Sequence, residues 1–471
     1  MGIKRFNATA DNTISNAFEA NLTTRGTGSN MGAADILEVF SIFAQASTSS
    51  LEASRVLVQF PITNADDATN SIEAQRDAGN IPASGSVNFY LKLTNARHSQ
   101  TVPKDYTLVV SAVSRSWSEG TGLDMENYSD AGVSNWISAS LSASGDTGGW
   151  ASAGGDYHAA PIRNQTFDNG TENLEVNVTE FVEEWIAGDK SNYGFGIQLT
   201  SSEESSTTRS YYTKKFFSRT SEYFYRRPII EARFNDTRQD NRGNFQYSSS
   251  LAPAADNLNT IWLYNRVRGR LTNIPDVGTG NIGVSIFSSS LDGTPSGSAL
   301  VLVADGTHVA AANQLTVTGT HVSVGVYKAS FALTAAATPL PQLNDVWFKL
   351  DDGTTNAAAT STQYRTGSIS PTTLEASADQ YFDQYFNKIT NLKTSYFQDE
   401  IPMLRLYARP KNWKPTIYNV AQDTPETSII ISSSYSVYRL ADDLKVVNFG
   451  TGSDLSTLMS YDSSGNYFEL D

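Results

Sequence analysis

The stretch LEVNVTEFVEEWIAGDKSNYGFGIQL, residues 174–199, decides the fold that the surrounding chain adopts. Its first apolar residues, Leu174, Val176 and Val178, alternate with polar ones, which predicts a strand with one buried face. Farther along the chain, residues 193–199, 210–217 and 226–234 are predicted as three more strands. In the last of these, Ile230, Ala232 and Phe234 share one face and the charged residues between them share the other. The pattern predicts a β-sheet.

A short helix interrupts these strands. The apolar residues at helical spacing are Phe181, Val182, Trp185 and Ile186. Thr179 is placed to act as the N-cap, Glu180 lies near the positive end of the helix, and Gly188 offers a left-handed stop. The apolar stripe is wide enough to cover a sheet, so we expect one helix capping a β-structure.

The sequence around these strands resembles that of a known family. The segments VTEFVEEWIAGDKSNYGFGIQL (178–199) and FFSRTSEYFYRRPIIEARF (216–234) resemble the closing half of DNRLRE-type β-sandwich domains, which are related to bacterial carbohydrate-binding modules. The opening half is similar in ATADNTISNAFEAN (8–21), SRVLVQF (54–60) and WSEGTG (117–122). The resemblance implies a β-sandwich over the first half of the chain. Residues 63–82 depart from the family pattern and look like an inserted helical turn or two.

Composition favours an all-β protein of several domains. The chain has 471 residues, of which 18 % are charged and 11 % aromatic, and it contains no cysteine. Disulfides, thiolate metal sites and cysteine nucleophiles are therefore excluded. We predict about three β-sandwich-like modules in tandem, with a short capping helix in the first. The boundaries are 1–236 for the DNRLRE-like sandwich with an N-terminal arm, 237–257 for a linker, 258–372 for a second sandwich and 373–471 for a C-terminal assembly unit.

The charge and the termini limit the partners. A net charge of −15 argues against nucleic acid as the main ligand, because phosphate binding is built from clustered Lys and Arg. No apolar run approaches the ~18 residues of a membrane helix, and no secretory signal is visible at the amino terminus. We therefore expect neither nucleic-acid nor membrane binding, and synthesis in a host cytoplasm.

The C-terminal sequence shows a second resemblance. YARPKNWKPTIY (407–418) and YDSSGNYF (461–468) resemble parts of virion structural proteins of tailed phages, particularly contractile-tailed phages of marine bacteria. This resemblance implies a location in the virion and other virion proteins as partners, with a homo-oligomer expected. The chain ends within a predicted strand, residues 466–470, so either this strand pairs with another subunit or the natural chain is longer.

Motifs for catalysis and metal binding are weak. The sequence GTGNIG at 278–283 matches the dinucleotide pattern GxGxxG, but a predicted strand follows it where that motif requires a helix. The four histidines lie far apart and none pairs at i, i+4. We expect no enzymatic activity and no cofactor, although acidic loops at 66–67, 124–130 and 351–353 could hold a structural Ca²⁺ through oxygen ligands.

Aromatic and basic residues in polar loops are the best candidates for a contact surface. They are Trp117, Trp136, Trp150, Tyr157, Arg409, Lys411 and Trp413. Three interpretations remain open for the aromatic members: contact with another protein, a buried loop anchor, and stacking on a sugar. Trp185 and Trp347 lie on apolar faces and are predicted to be core residues.

We expect a structural protein of a tailed-phage virion, in the tail, baseplate or neck, acting through protein–protein assembly. The alternative is a polysaccharide-binding protein for host recognition that uses the DNRLRE-like module on a host surface polysaccharide.

Overall fold

The computed structural model describes residues 2–99, 102–129, 132–141, 147–205, 207–306, 314–335, 339–350, 361–372, 384–413, 427–450 and 452–470. They form two compact units, each of two chain segments. The sandwich unit contains Gly2–Asp236 and Ser436–Thr457, and the C-terminal unit contains Thr237–Tyr435 and Leu458–Asp471. Strands dominate both, so the all-β prediction is confirmed.

The strands up to residue 236 are β1 Ile3–Asn7, β2 Ala10–Ser15, β3 Ile36–Phe43, β4 Leu51–Gln59, β5 Val87–Leu93, β6 Tyr106–Val113, β7 Ser138–Leu141, β8 Thr147–Gly149, β9 Tyr157–Phe167, β10 Leu174–Asn177, β11 Phe195–Leu199, β12 Ser210–Phe217 and β13 Ile229–Phe234. The α-helices of the described residues are α1 Ile72–Asp77, α2 Thr179–Ala187 and α3 Ser201–Glu204, and single 3₁₀ turns occur at Phe224–Arg226, Asn241–Gly243 and Ala254–Asn257.

The later strands are β14 Phe245–Gln246, β15 Asn259–Tyr264, β16 Arg266–Val267, β17 Arg270–Leu271, β18 Ile282–Ser289, β19 Pro295–Ser296, β20 Val317–Ser323, β21 Val326–Phe331, β22 Leu343–Phe348, β23 Gln363–Ile369, β24 Pro371–Thr372, β25 Tyr385–Ile389, β26 Met403–Pro410, β27 Val437–Arg439, β28 Leu444–Val447, β29 Ser460–Asp462 and β30 Gly465–Glu469.

Two sheets enclose the main core of the sandwich unit. One has the order β1-β13-β5-β10, and the other has the order β12-β3-β4-β11-β6-β9 with β2 paired to β4. Val58 from the larger sheet and Phe89 and Ile230 from the smaller one are fully buried in the same cluster. Because Ile230 lies inside, Glu231 and Arg233 lie on the outer face of the smaller sheet, as the alternation predicted.

Helix α2 covers this core as predicted, but its start differs. Trp185 is buried against the Phe195 ring, and Gly188 ends the helix at φ 78°. Thr179 is the first helical residue rather than the N-cap. Its Oγ1 accepts a hydrogen bond of 2.9 Å from the Phe89 backbone N–H, so the hydroxyl joins the helix to β5 instead of capping it.

The predicted insertion at residues 63–82 contains a true helix, α1. The Ser71 hydroxyl is its N-cap and accepts a hydrogen bond from the Ala74 N–H at 3.1 Å. Ile72 is buried in the main core and anchors the helix. The prediction of a helical turn or two is confirmed.

The C-terminal unit contains a seven-stranded sheet, β15-β21-β20-β18-β22-β23 with β19 on β18, around a core that includes Trp347. Gly278 lies in a turn at φ 58°, and Ile282 begins strand β18, so the GxGxxG sequence enters a strand as expected. A separate four-stranded sheet has the order β25-β26-β30-β29. The last predicted strand, residues 466–470, corresponds to β30.

Part of the predicted linker 237–257 is core. Arg242 is buried and binds Asp345 through Nε at 3.0 Å and through a second nitrogen at 2.7 Å, and it also pairs with Asp240. Phe245 is fully buried. The polar composition predicted a linker because a buried, fully paired arginine looks the same in sequence as a solvated one.

Residues 436–457 correct the domain prediction more strongly. The sequence placed them in the C-terminal assembly unit, but the hairpin β27–β28 belongs to the sandwich unit. Ion pairs explain the location, since Arg226 contacts Asp442 at 2.8 Å and Arg233 contacts Asp454 at 3.6 Å.

Other predictions differ in extent. Residues 119–161 are rich in Gly, Ser, Asp and Asn and predict a long loop, but they contain β7, β8 and the start of β9. Residues 300–304 predict a strand but contribute only an isolated bridge at Val303. The predicted Ca²⁺ loop 351–353, the beginning of the third module at 373 and Lys414 lie outside the described residues. No helix among those described is long and apolar enough to cross a membrane.

Candidate functional site

Three of the predicted surface residues come together at one end of the four-stranded sheet. Arg409 lies on β26, and the chain turns after Pro410 so that the Trp413 N–H donates to the Pro410 carbonyl at 3.1 Å. The Arg409 guanidinium carbon is 5.5 Å from the centroid of the Trp413 ring and 5.5 Å from that of the Phe386 ring. Such distances allow cation–π attraction to both rings.

This cluster is open to solvent. Phe386 is 52 % exposed and Trp413 is 42 % exposed. Lys388 lies on β25 beside Phe386, and the Lys411 Nζ donates to Gln384 Oε1 at 3.1 Å. We call Phe386, Lys388, Arg409, Lys411 and Trp413 the basic–aromatic edge.

The loop that joins β25 to β26 adds exposed apolar side chains. They are Leu392, Phe397 and Ile401, followed by Met403 at the start of β26, and Phe397 is 85 % exposed. Large apolar groups gathered in one exposed segment are typical of a surface that another molecule covers.

The predicted tryptophan surface in the sandwich unit is wrong. Trp117, Trp136 and Trp150 are 8, 9 and 7 % exposed, and they pack with Ile14 and Leu57 in a second core. They cover the outer face of the larger sheet, where apolar side chains would otherwise be solvated. Of the three interpretations left open for them, the buried loop anchor is the one observed.

Hydrogen bonds complete this second core. The Trp117 indole N–H donates to the Tyr193 carbonyl and the Trp150 indole N–H to the Asn135 carbonyl, each at 2.8 Å. Buried indoles need such partners. These rings are therefore fixed and unavailable for stacking on a ligand.

Tyr157 is also structural. Its hydroxyl donates to the Gly154 carbonyl at 2.9 Å, and burial raises its pKa to about 12. Arg55 lies 5.7 Å from the ring centroid and pairs with Glu204 at 2.6 Å. Tyr157 therefore links the loop before β9 to the Arg55–Glu204 ion pair and does not present a contact surface.

A groove that the sequence did not reveal lies within the sandwich unit. Its volume is about 960 Å³. The floor includes Arg5 and Lys92 from the outer face of the smaller sheet, one side includes Asn95 and Asn173, and hairpin β27–β28 contributes Lys445. The lining residues come from five separated parts of the chain, so no local motif marks the groove.

Charges on the floor are closely paired. Glu231 is buried and receives hydrogen bonds from Arg5 at 3.0 Å and Arg233 at 2.8 Å, with Lys92 at 3.5 Å. Burial opposes ionisation of Glu231, but Lys92, Arg233 and Arg5 outweigh it and lower the pKa. The carboxylate therefore stays charged under the groove and holds three cations in place.

A buried lysine supports the side of the groove. Lys214 donates through Nζ to Asn95 Oδ1 at 2.7 Å, to the Gly170 carbonyl at 2.9 Å and to the Glu172 carbonyl at 2.6 Å. Burial lowers its pKa to about 8. All three ammonium protons are used, so the lysine fixes the loop that lines the groove.

Aromatic rings are exposed at the groove margin. Tyr225 is 61 % exposed, and Phe224 packs edge-on against it with ring centroids 5.4 Å apart. The Arg227 guanidinium carbon lies 5.5 Å from the Phe224 ring centroid. An exposed aromatic face beside asparagine side chains suits a ligand that has both apolar and hydroxyl surfaces.

The Asp11 carboxyl is too buried to act as a site. Asp11 is 1 % exposed, and Glu119 accepts from the Asp11 N–H at 2.8 Å and binds Arg219. Burial, reinforced by the neighbouring Glu119 charge, raises the pKa of Asp11 to about 7. The group is a structural acid that titrates near neutrality.

The acidic loops proposed for Ca²⁺ use their carboxylates internally where they are described. Asp66 accepts from the Thr63 N–H at 2.8 Å, and Asp124 accepts from the Asn127 N–H at 2.8 Å. In the part of the chain that the structure describes, no three His, Asp or Glu side chains gather as a metal-binding group. A structural Ca²⁺ remains a prediction.

No protein-family model matches this chain, and no curated protein matches it significantly. The resemblances to DNRLRE-type domains and to tailed-phage virion proteins therefore stay predictions.

Proposed function

We propose that the chain is a structural component of a tailed-phage virion, in the tail, baseplate or neck, and that it acts by binding other virion proteins. The basic–aromatic edge carries the proposal, because Phe386 and Trp413 are exposed and both lie close to Arg409. Aromatic residues and arginine are the side chains that contribute most to protein interfaces. Many copies in a particle would multiply such contacts.

Assembly into particles tests this function. A tagged copy of the chain is expressed in the cells in which the virions are produced. The particles are then separated on a density gradient. We expect the wild-type chain in the particle fraction and loss of the Trp413→Ala and Arg409→Ala variants from it. Leu291→Ala is the matched control, because Leu291 is fully exposed and lies in the turn between β18 and β19 of the same unit, away from the basic–aromatic edge. A wild-type chain found only in the soluble fraction overturns the proposal.

The second candidate is binding of a host surface polysaccharide by the sandwich unit. The groove favours it, since Tyr225 is exposed beside a lining that contains Asn7, Asn95 and Asn173. A glycan array with the full chain tests this function. We expect Tyr225→Ala to abolish any signal. Trp117→Ala would not be informative, because that side chain is core.

We propose no catalytic role and no cofactor. Incubation with a bound polysaccharide should release no reducing sugar. If reducing sugar were released and Tyr225→Ala abolished that release, the groove would be a catalytic site.

A further inference from the structure

Strand β25 has an outer edge that no described strand covers. It is the terminal strand in the order β25-β26-β30-β29. At the opposite end, β29 is bridged by Gln239, which pairs with Tyr461. Exposed edges present backbone donors and acceptors that another strand can use.

The hydrogen-bond register shows which groups point outward. The Lys411 N–H donates to the Gln384 carbonyl at 2.6 Å, and the Thr390 N–H donates to the Arg405 carbonyl at 2.9 Å. Bonding toward β26 therefore falls on the even-numbered residues of β25, such as Phe386 and Lys388. The backbone N–H and C=O of Asn387 and Ile389 point away from β26.

Side chains beside this edge are basic. Lys388 and Arg409 form no ion pair within the described ranges, whereas the nearby acids are engaged elsewhere. Glu400 pairs with Lys393, and Asp462 pairs with Arg405 at 2.7 Å. The edge is thus a local positive surface on a chain whose net charge is −15.

A second copy of the strand fits poorly. Antiparallel pairing of two β25 strands about Asn387 would place the two Lys388 side chains on a diagonal about 8 Å apart, with Arg409 of each copy on the same face. No carboxylate of β25 would compensate. Like charges in neighbouring strands are destabilising, so the occupant must bring negative charge.

We propose that β25 takes up an extended acidic segment of a partner protein as an added strand. Asn387 and Ile389 would supply the backbone hydrogen bonds, carboxylates of the segment would pair with Lys388 and Arg409, and its apolar side chains would cover Phe386. This inference rests on the proposed assembly function and specifies the chemistry of its partner.

Peptide binding to the full chain tests the inference. The probe is a short fluorescein-labelled peptide of alternating valine and glutamate, compared with one of alternating valine and lysine by fluorescence anisotropy. We expect the acidic peptide to bind about tenfold more tightly. The double variant Lys388→Glu, Arg409→Glu should reverse the preference.

Backbone pairing is tested separately. Asn387→Pro removes an N–H that β26 does not use, so the sheet should be retained while peptide affinity falls about tenfold. Asn387→Ala is the matched control and should bind normally. If Asn387→Pro failed to fold, the acidic peptide N-methylated at alternate residues would serve instead, and it should bind weakly to the wild-type chain.

Three results would overturn the inference. They are equal binding of both peptides, binding that neither Asn387→Pro nor N-methylation weakens, and self-association of the wild-type chain that Asn387→Pro abolishes. The last would identify a second copy as the occupant. Failure of the assembly function can be distinguished from failure of this inference. If only the assembly function failed, the chain would stay out of particles but would still bind the acidic peptide. If Asn387→Pro entered particles normally, only the strand addition would be refuted.

Discussion

The Arg226 guanidinium lies 2.8 Å from the Asp442 carboxylate, although the residues are 216 positions apart in the sequence. Asp442 also receives two hydrogen bonds from Arg439, at 2.8 and 2.6 Å. Arg439 and then Arg226 hold the pKa of Asp442 well below its usual range. This carboxylate therefore joins hairpin β27–β28 to the turn before β13.

Asp442→Asn should loosen the hairpin. Neutralising the carboxylate removes both charge-assisted contacts, and the region is exposed, so we expect little change in melting temperature. Hydrogen–deuterium exchange of residues 444–447 should become faster in the variant, and high salt should produce a similar change in the wild type. Asp443→Asn is the control. Unchanged exchange in Asp442→Asn would show that other contacts hold the hairpin.

Asp11→Asn should stabilise the protein at alkaline pH. Because the folded-state pKa of about 7 lies above the ordinary 3.8, the contribution of Asp11 to stability is complete below pH 3.8 and is lost as pH rises through 7. At pH 8 the variant should melt on the order of 3 °C higher than the wild type, with little difference at pH 4. Asp67→Asn should have the opposite sign, since hydrogen bonds from Asn70 and Thr69 lower the pKa of Asp67. An equal shift at both pH values would contradict the assignment.

Trp150→Ala should destabilise the sandwich unit by about 3–5 kcal/mol, the usual cost of removing a large buried ring. The substitution also removes the hydrogen bond from the Trp150 indole N–H to the Asn135 carbonyl. Trp413→Ala should change the free energy of unfolding by less than about 0.5 kcal/mol, because its ring is half exposed. Denaturant unfolding of both variants measures the contrast, and similar losses would mean that Trp413 is also a core anchor.

Lys214→Met should reduce stability by roughly 2 kcal/mol, because it leaves one buried and two partly buried acceptors without this donor. Exchange of the amides in residues 170–173 should rise as the loop beside the groove loosens. Lys215→Met is the matched control on the same strand, since Lys215 makes only a partly exposed pair with Glu38 at 3.2 Å. If both variants behaved alike, the buried ammonium would not be what fixes this loop.

Local periodicity predicted the framework well. Strands β11 and β12 and the end of α2 at Gly188 correspond to the patterns seen in the sequence, because each pattern depends only on neighbouring residues. The buried tryptophans were missed although β4 carried a signal. Val56, Leu57 and Val58 are consecutive apolar residues, so this strand has two buried faces, and something had to cover the outer one.

Long-range arrangement could not be predicted in the same way. The residues around Asp442 do not indicate Arg226 as its partner. An ion pair between two residues that are distant in the sequence leaves no local pattern from which it could be predicted. Arg226 and Asp442 both line the groove. By contrast, Arg409, Lys411 and Trp413 are near neighbours in the sequence, which is why this part of the candidate surface was found.

The two-segment make-up of the sandwich unit has a consequence for biosynthesis. A ribosome must translate past Thr457 before the last piece of a unit that begins at Gly2 exists. Nascent chains, and any fragment cut before that point, lack one wall of the groove. Completion of this unit is therefore coupled to synthesis through Thr457, which prevents molecules terminated before that residue from displaying a finished groove.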